Sequence, residues 1–410
     1  MKQGDIPAPT LFSIFFATML CYAFKDCDVG VFLRFRTSGK VFNLRRFSAS
    51  SKVFSDLIRE LLYADDADCV AHTESDMQII MDLLARACAA FGLTISLKKT
   101  KVMLTTPPGQ PYVEPNIFVN GERLDVVDNF VYLGSTLARD TSLDAEVNHR
   151  IHKATKAFGS LEDRVWSDRS ITIRTKINVY QSCVLTSLLY SSETWTFYRR
   201  HIKALERVHQ KFLRHILNIK WQSHTPDSSV LEIAGSSSVE KIVIKNQLRW
   251  AGHLVRMDDD RLPKRLFYGE LPIGKRPRNR PKKRFRDCLK DSLKAVNINI
   301  SDWELATKDR CTWRASIHNG CNNFEKERLE KSKIKRAVRK GNLDAIPPEL
   351  RVQHVCNICG KIAMSKAGLA SHKRVHDFSA AVDLTCVNCN KVCKSKAGLS
   401  SHMRVHKHNL

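Results

Sequence analysis

Asp65 and Asp66 are adjacent carboxylates in the run Tyr63-Ala64-Asp65-Asp66, with apolar Leu61 and Leu62 before them and Cys69-Val70 after. Apolar residues on both sides of a short polar break predict two strands joined by a tight turn, with both carboxylates at its exposed tip. Carboxylates placed together in this way can hold hard divalent cations. Taken alone, the four residues read first as an acidic hairpin turn, so their surroundings have to decide. A second set of chemistry-bearing residues lies near the C-terminus. Cys356, Cys359, His372 and His376 follow the spacing C-x2-C-x12-H-x3-H, and Cys386, Cys389, His402 and His406 repeat it thirty residues later. Two thiolates on a hairpin and two imidazoles one helical turn apart can close a tetrahedron around Zn²⁺, so two structural zinc sites are expected.

The zinc modules carry further information. Leu369 and Leu399 stand three residues before the first His of each set, where a small ββα module buries a leucine. Ala363 and Cys393 occupy positions usually filled by an aromatic ring. A thinner apolar core makes each module more dependent on metal for folding. The helix positions that commonly read bases hold Ser365, Gly368 and Ser371, then Ser395, Gly398 and Ser401. None of these can make the bidentate contacts that distinguish bases. Lys366, Lys373, Arg374, Lys396 and Arg404 suit phosphate contact instead. Weakly sequence-specific binding is expected, with protein contact through these modules as the alternative use.

A third set is purely electrostatic. Lys and Arg number 67 against 42 Asp and Glu, a formal net charge of +25. An excess of this size repels itself unless it meets an anionic partner, and RNA or DNA is the expected one because bound phosphates release their counterions. Nine of the sixteen residues from Lys275 to Lys290 are Lys or Arg. Within that stretch Lys275, Arg276, Arg278, Arg280, Lys282, Lys283 and Arg284 are candidate contacts to a nucleic-acid strand, or part of a nuclear import signal. The apolar run Leu11–Phe24 has 14 residues, short of the ~20 that a membrane-spanning helix needs; no membrane partner is expected, an anionic membrane surface being the rival use of the positive charge. The 13 cysteines include the two zinc-type pairs, and the other nine are scattered singly. That usage suits a reducing compartment, nucleus or cytoplasm.

These groups need a scaffold. Residues 1–140 mix apolar helices with strand-like runs, and Asn120-Gly121 after Ile117-Phe118-Val119 is a hairpin signal. Thr73 is placed to cap a helix with Met77, Ile80, Met81 and Leu84 on one face and Gly92 near its end. Residues 141–340 read as mostly helix. Val147, Ile151, Ala154 and Phe158 keep helical spacing, as do Ile177, Tyr180 and Val184, and Ile202, Leu205, Val208, Phe212 and Ile216. Residues 341–353, with Pro347-Pro348, read as a linker to modules at 354–376 and 386–406. The fold class is therefore α+β.

Four ordered stretches carry a family resemblance. Gln3-Gly4-Asp5-Ile6-Pro7 resembles the Gln-Gly start of a reverse-transcriptase helix, and Tyr63-Ala64-Asp65-Asp66 the catalytic hairpin of the same enzymes. Gly92-Leu93-Thr94-Ile95-Ser96-Leu97-Lys98-Lys99-Thr100-Lys101 is similar to their lysine-bearing segment, and Phe130-Val131-Tyr132-Leu133-Gly134 resembles the hairpin that grips the primer end. The resemblance is to non-LTR (LINE-type) retrotransposon reverse transcriptases. It extends into the helical region through Asn246-Gln247-Leu248-Arg249-Trp250-Ala251-Gly252-His253 and Gly274-Lys275-Arg276-Pro277. It implies a partial palm at 1–140, a helical thumb and basic C-terminal region at 141–340, and two C2H2 zinc fingers. It also implies Asp65 and Asp66 as catalytic ligands of Mg²⁺, with Gln3, Gly4, Lys98, Lys99 and Lys101 contacting template, primer or nucleotide.

One departure bears on activity. That family uses three aspartates, the first upstream of the Gln-Gly motif, whereas Met1 here stands two residues before Gln3. Asp5 belongs to the Gln-Gly motif, and Asp68 lies only two residues beyond Asp66, so neither is expected to substitute. The expectation is a nucleic-acid-binding fragment of an RNA-directed DNA polymerase, inactive by itself, with two carboxylates on an incomplete sheet. The alternative is a cellular C2H2 zinc-finger protein that keeps the retroelement sequence as scaffold.

Overall fold

The computed structural model describes residues 6–107, 109–274, 276, 281–339, 354–363 and 366–379, and then 385, 386, 389, 391, 392, 398, 402 and 403. The expectations for Gln3, Gly4, Lys275, Arg278, Arg280 and His406, and for the 341–353 linker, fall outside these residues. The chain divides into two units, Met1–Lys326 and Glu327–Leu410. The first unit contains both helices and strands, as the α+β reading requires.

The first helix, Ala8–Ala23, starts at a proline-rich turn, where a missing N–H costs nothing because no helical acceptor faces it. Met19, Leu20 and Ala23 pack on Ile80, Leu84, Ala87 and Cys88 of the helix Glu74–Ala90. Thr73 caps that second helix as expected, its hydroxyl accepting the Asp76 N–H at 3.1 Å. The other face of Glu74–Ala90 carries Met81, which joins Ile117, Val119 and Leu124 in a small core. This core holds the hairpin Phe118–Val119 and Glu122–Arg123. Asn120 and Gly121 form its loop with φ of 51° and 83°. Two left-handed residues match the right-handed twist of the strands, and Asn-Gly tolerates that conformation best.

The strands of the first unit form mostly separate hairpins, with one three-stranded sheet. Its central strand, Val31–Phe35, pairs antiparallel with Phe54–Ile58 on one side and with Gly269–Glu270 on the other. The early segment is therefore bound to late helices. Buried Arg46 donates to the carbonyls of Lys40 at 2.8 Å and Tyr268 at 2.6 Å. Arg265 bridges to Asp56 at 2.7 Å. Val41 sits in the same core as Leu248, Phe267, Leu289, Trp303 and Trp313.

A second large core joins the helices Asp144–Gly159, Ile173–Val179, Arg199–Ile216 and Asp227–Ala234. The stripes assigned to core by their spacing are there. Val147, Ala154, Phe158, Ile177, Tyr180, Val184, Ile202, Leu205, Phe212 and Ile216 are buried, with Ile151 and Val208 packed at the edge. A polar pair, Tyr180 and His209, lies within it. The Tyr180 hydroxyl is 2.6 Å from His209 Nδ1, and burial lowers the His209 pKa to about 4. The imidazole is neutral at physiological pH, so the phenol donates to Nδ1 while Nε2 faces the Ser237 carbonyl at 3.2 Å.

The helices Val239–Arg256 and Arg310–Arg339 approach closely at Gly252. A Cβ there would lie 2.2 Å from Nε1 and 2.6 Å from Cδ1 of Trp313. That indole is buried and donates to the Leu248 carbonyl at 3.1 Å, so it has no room to retreat. Gly252→Ala is expected to destabilise the first unit by about 1–3 kcal/mol through overpacking, against the small gain that alanine normally brings to a helix. Thermal unfolding followed by circular dichroism checks this, and an unchanged or higher midpoint would contradict the packing described.

Candidate catalytic hairpin and metal centres

Glu60–Tyr63 and Asp66–Cys69 form an antiparallel hairpin in which Tyr63 opposes Asp66 and Leu61 opposes Asp68. The Val70 N–H continues the ladder to the Arg59 carbonyl at 2.8 Å. Ala64 and Asp65 make the two-residue loop, and Ala64 takes a left-handed φ of 53°. Asp65 and Asp66 are both exposed at this tip, where the strand pattern put them. Alternation along a strand sets Asp66 and Asp68 on one face. Burial raises the pKa of Asp68.

Tyr132 lies beside that face. Its hydroxyl donates to the Leu61 carbonyl at 3.1 Å. Its pKa is raised by burial first and then by the nearby charges of Asp68 and Asp66. Tyr132 ends the first strand of a second hairpin, Asn129–Tyr132 with Ser135–Ala138, which turns through Leu133 and Gly134 at φ of 46° and 82°. Three groups from the helical region hold this second hairpin. Glu146 Oε2 accepts the Thr136 N–H at 2.6 Å. Arg150 donates from Nε to Glu146 Oε1 at 2.6 Å and from Nη2 to the Gly134 carbonyl. The Tyr190 hydroxyl donates to the Leu133 carbonyl at 3.0 Å, and its ring lies 4.5 Å from the Arg150 guanidinium.

Tyr132 has no separate role legible from the motif Phe130-Val131-Tyr132-Leu133-Gly134, and Asp68 is not among the expected metal ligands. The spacing of Glu146 and Arg150, four residues apart on a helix, was the available signal for their pair. Among the described residues, the groups of three or more metal-type donors within reach of one another are the two Cys/His sets. Asp65 and Asp66 thus present two carboxylates without a third converging donor among those residues.

The candidate basic contacts differ in their surroundings. Lys98 and Lys99 are exposed on a turn. Lys101 is paired with Asp125 at 2.6 Å, opposite it in a short parallel ladder. Within the basic stretch, Arg276 bridges to Asp287 at 2.6 Å and Lys283 to Asp291 at 2.8 Å. Arg284 bridges to Glu270 at 2.8 Å, and Lys282 donates to the Asp140 carbonyl at 2.5 Å. Asp287 also accepts the Arg284 N–H at 2.9 Å, at the start of the helix Phe285–Ala295. These cations are therefore partly committed to fixing their own segment. Solvent-exposed pairs of this kind are weak and exchange readily for phosphate.

In the second unit, His354–Val355 pairs with Ile362–Ala363, and the helix Lys366–Ser379 follows. Cys356, Cys359, His372 and His376 bring four donor atoms within 4.8 Å of one another. Cys359 Sγ is 3.0 Å from His372 Nε2, which is 3.1 Å from His376 Nε2. Ligands held at ~2.0–2.3 Å around a tetrahedral ion stand about 3.3–3.8 Å apart, so this donor set suits zinc. Hydrogen bonds from the backbone of Ile358, and then of Cys359, lower the Cys356 pKa and favour the thiolate a metal requires. Cys386, Cys389 and His402 converge in the same way, with Cys389 Sγ 3.0 Å from His402 Nε2. The turn geometry repeats too: the Cys356 N–H donates to Lys361 O and the Cys386 N–H to Lys391 O, both at 2.9 Å.

Comparison with known proteins identifies two parts of the chain. Residues 1–137 match the family of reverse transcriptases (RNA-dependent DNA polymerases), and residues 384–406 match the C2H2-type zinc finger. A putative transposon-derived protein of Caenorhabditis elegans is 28% identical over 276 residues, covering 65% of this chain and 97% of that protein. The chain is reverse-transcriptase-like in its first third and carries a C2H2 finger near its C-terminus. No described helix is long and apolar enough to cross a membrane.

Two measurements follow from this geometry. Metal analysis of the purified chain is expected to give two equivalents of zinc, falling to one in Cys386→Ala. A single equivalent in the parent chain would refute the assignment of paired sites. Asp68→Asn tests the packing beneath Tyr132. A carboxyl whose folded pKa is raised favours folding when protonated, and that favour is lost as pH rises through the folded value. The amide is therefore expected to raise the thermal midpoint by roughly 1–2 °C at neutral pH, with the gain vanishing below the unfolded carboxylate pKa of ~3.9. A variant that is less stable at neutral pH than the parent would show that Asp68 is not desolvated.

Proposed function

We propose that this chain is a transposon-derived relative of non-LTR (LINE-type) reverse transcriptases, and that it works as a zinc-dependent RNA- or DNA-binding protein in the nucleus or cytoplasm. The observation that carries this reading is the convergence of two Cys/His donor sets in a chain whose first 137 residues match reverse transcriptases. The net charge of +25 supports it, since phosphates are the commonest dense anions a protein meets. The base-reading positions Gly368 and Ser371 lack reach, which favours backbone contact over base discrimination.

The catalytic role of Asp65 and Asp66 belongs to the same proposal. Mg²⁺ at such a hairpin supplies the charge neutralisation of phosphoryl transfer. This chain's own contribution is the hairpin, the presentation of Asp65 and Asp66 at its exposed tip, and the support given by Tyr132. Two carboxylates without a third converging donor among the described residues fall short of a full two-ion site.

Binding to labelled RNA and DNA and primer extension test the two halves. Affinity is expected to fall by about 10³-fold or more between 50 and 200 mM salt, and to vary little with sequence. A selected site bound ~10³-fold better than random sequence would overturn the backbone-contact reading. Primer extension by the 410-residue chain is expected to stay at the level of Asp65→Ala with Mg²⁺ or Mn²⁺. Extension that is lost in Asp65→Ala would show a competent polymerase.

A further inference from the structure

The first unit also contains a cavity lined mostly by arginines, none of whose lining residues belongs to the aspartate hairpin or to the basic stretch. It measures about 220 Å³ and lies between the helices Val239–Arg256 and Arg310–Arg339, lined by Arg249, His253, Arg256, Arg310, Trp313 and Arg314. No carboxylate lines it. Arg249, His253, Arg310 and Arg314 are exposed to solvent. None of the four arginines forms a salt bridge among the described residues. Asp309 precedes Arg310, but its carboxylate accepts the N–H groups of Cys311 at 3.0 Å and Thr312 at 3.2 Å, capping its own helix.

The cavity is held in shape from behind. Arg256 donates to the Thr307 carbonyl at 2.8 Å, and Trp313 is anchored to Leu248 from the core. The close approach at Gly252 brings the two helices near enough for arginines of both to share one space. Burial, then Arg310 and Arg314, hold the Arg256 guanidinium below its ordinary pKa. Like charges gathered without a counter-charge leave an electrostatic demand for an anion. Guanidinium groups meet phosphate oxygens in bidentate geometry.

The cations continue beyond the cavity. Lys241, Lys245 and Arg249 follow one another at four-residue steps along the same helix, and all three act on Cys321 of the facing helix. From Lys241 to Arg256 the basic positions fall within an arc of about 120° and run for about 22 Å, at 100° and 1.5 Å per residue. A small free anion would fill the cavity and leave the row unused, whereas a strand would use both. We propose that the Arg249–Arg256–Arg310–Arg314 cavity, with the lysine row leading into it, binds successive phosphates of a nucleic-acid strand. This rests on the reading of the chain as a nucleic-acid binder and adds a site that neither the family matches nor the zinc modules supply.

The test uses the full chain and labelled single-stranded RNA. Arg249→Gln/Arg314→Gln removes two exposed charges from the cavity, and Arg169→Gln/Arg174→Gln removes two exposed charges elsewhere. The cavity variant is expected to bind about tenfold or more weakly near 100 mM salt, with a slope of log affinity against log salt shallower by about one to two. The control variant is expected to stay within about twofold of the parent. Equal affinities for parent and cavity variant, with the parent still binding in a salt-dependent manner, would place the strand elsewhere and overturn this proposal alone. A parent chain that binds no RNA or DNA removes the wider reading and this site with it. Competition with sodium pyrophosphate separates the phosphate sources. Displacement no stronger than sodium chloride at equal ionic strength supports the strand. Displacement at far lower ionic strength, abolished in the cavity variant, would assign the cavity to a free diphosphate instead.

Discussion

The aspartate hairpin is held in place by an ion pair that does not touch it. Glu146 and Arg150 have side chains only 3% and 4% exposed. Two charges in such a place are stable only if their remaining donors and acceptors are satisfied. Here the satisfying groups are the Thr136 N–H and the Gly134 carbonyl of the neighbouring hairpin. The need of the ions therefore fixes the hairpin, the hairpin fixes Tyr132, and Tyr132 reaches the Leu61 backbone beside Asp66 and Asp68. Removing one partner of such a pair leaves a buried charge uncompensated, at about 3–5 kcal/mol. The reverse-transcriptase-like segment and the helical segment are joined through this linkage, even though a reading by motif treats them as separate domains.

Much of the local structure was legible because its causes are local. The capping hydroxyl of Thr73, the left-handed pair Asn120-Gly121 and the helical stripe from Ile202 to Ile216 are each decided within a few residues. The Cys/His spacing is legible for the same reason, since ligand geometry translates into fixed chain separations. The tip position of Asp65 and Asp66 followed from two apolar flanks and a short polar break.

What was not legible depends on partners far apart in the chain. Nothing in Val31–Phe35 indicates that its outer edge pairs with Gly269–Glu270. Nothing near Val41 indicates Trp303 and Trp313 as core neighbours. The basic stretch shows the same limit in charge. Counted as a run, Arg276 to Arg284 is a block of cations, yet Asp287, Asp291 and Glu270 return carboxylates to several of them. Meanwhile the arginines of the cavity are spread over two helices and make no run at all. Sequence density of charge and spatial density of charge are different quantities, and only the second attracts a ligand.

The pairing of Arg34 with Glu270 also sets an order of events during synthesis. A ribosome adding ~5–20 residues per second reaches the later strand about ten to fifty seconds after the earlier one. For that interval both outer edges of the strand pair Val31–Phe35 and Phe54–Ile58 are unpaired, and Leu33 and Phe35, buried in the finished fold, lack the cover of Gly269 and Arg265. An open edge beside uncovered apolar side chains is a template for pairing with another chain. The nascent polypeptide therefore passes through a stage in which this earlier strand pair is open to other chains, until residues 265–270 arrive to close one of its edges.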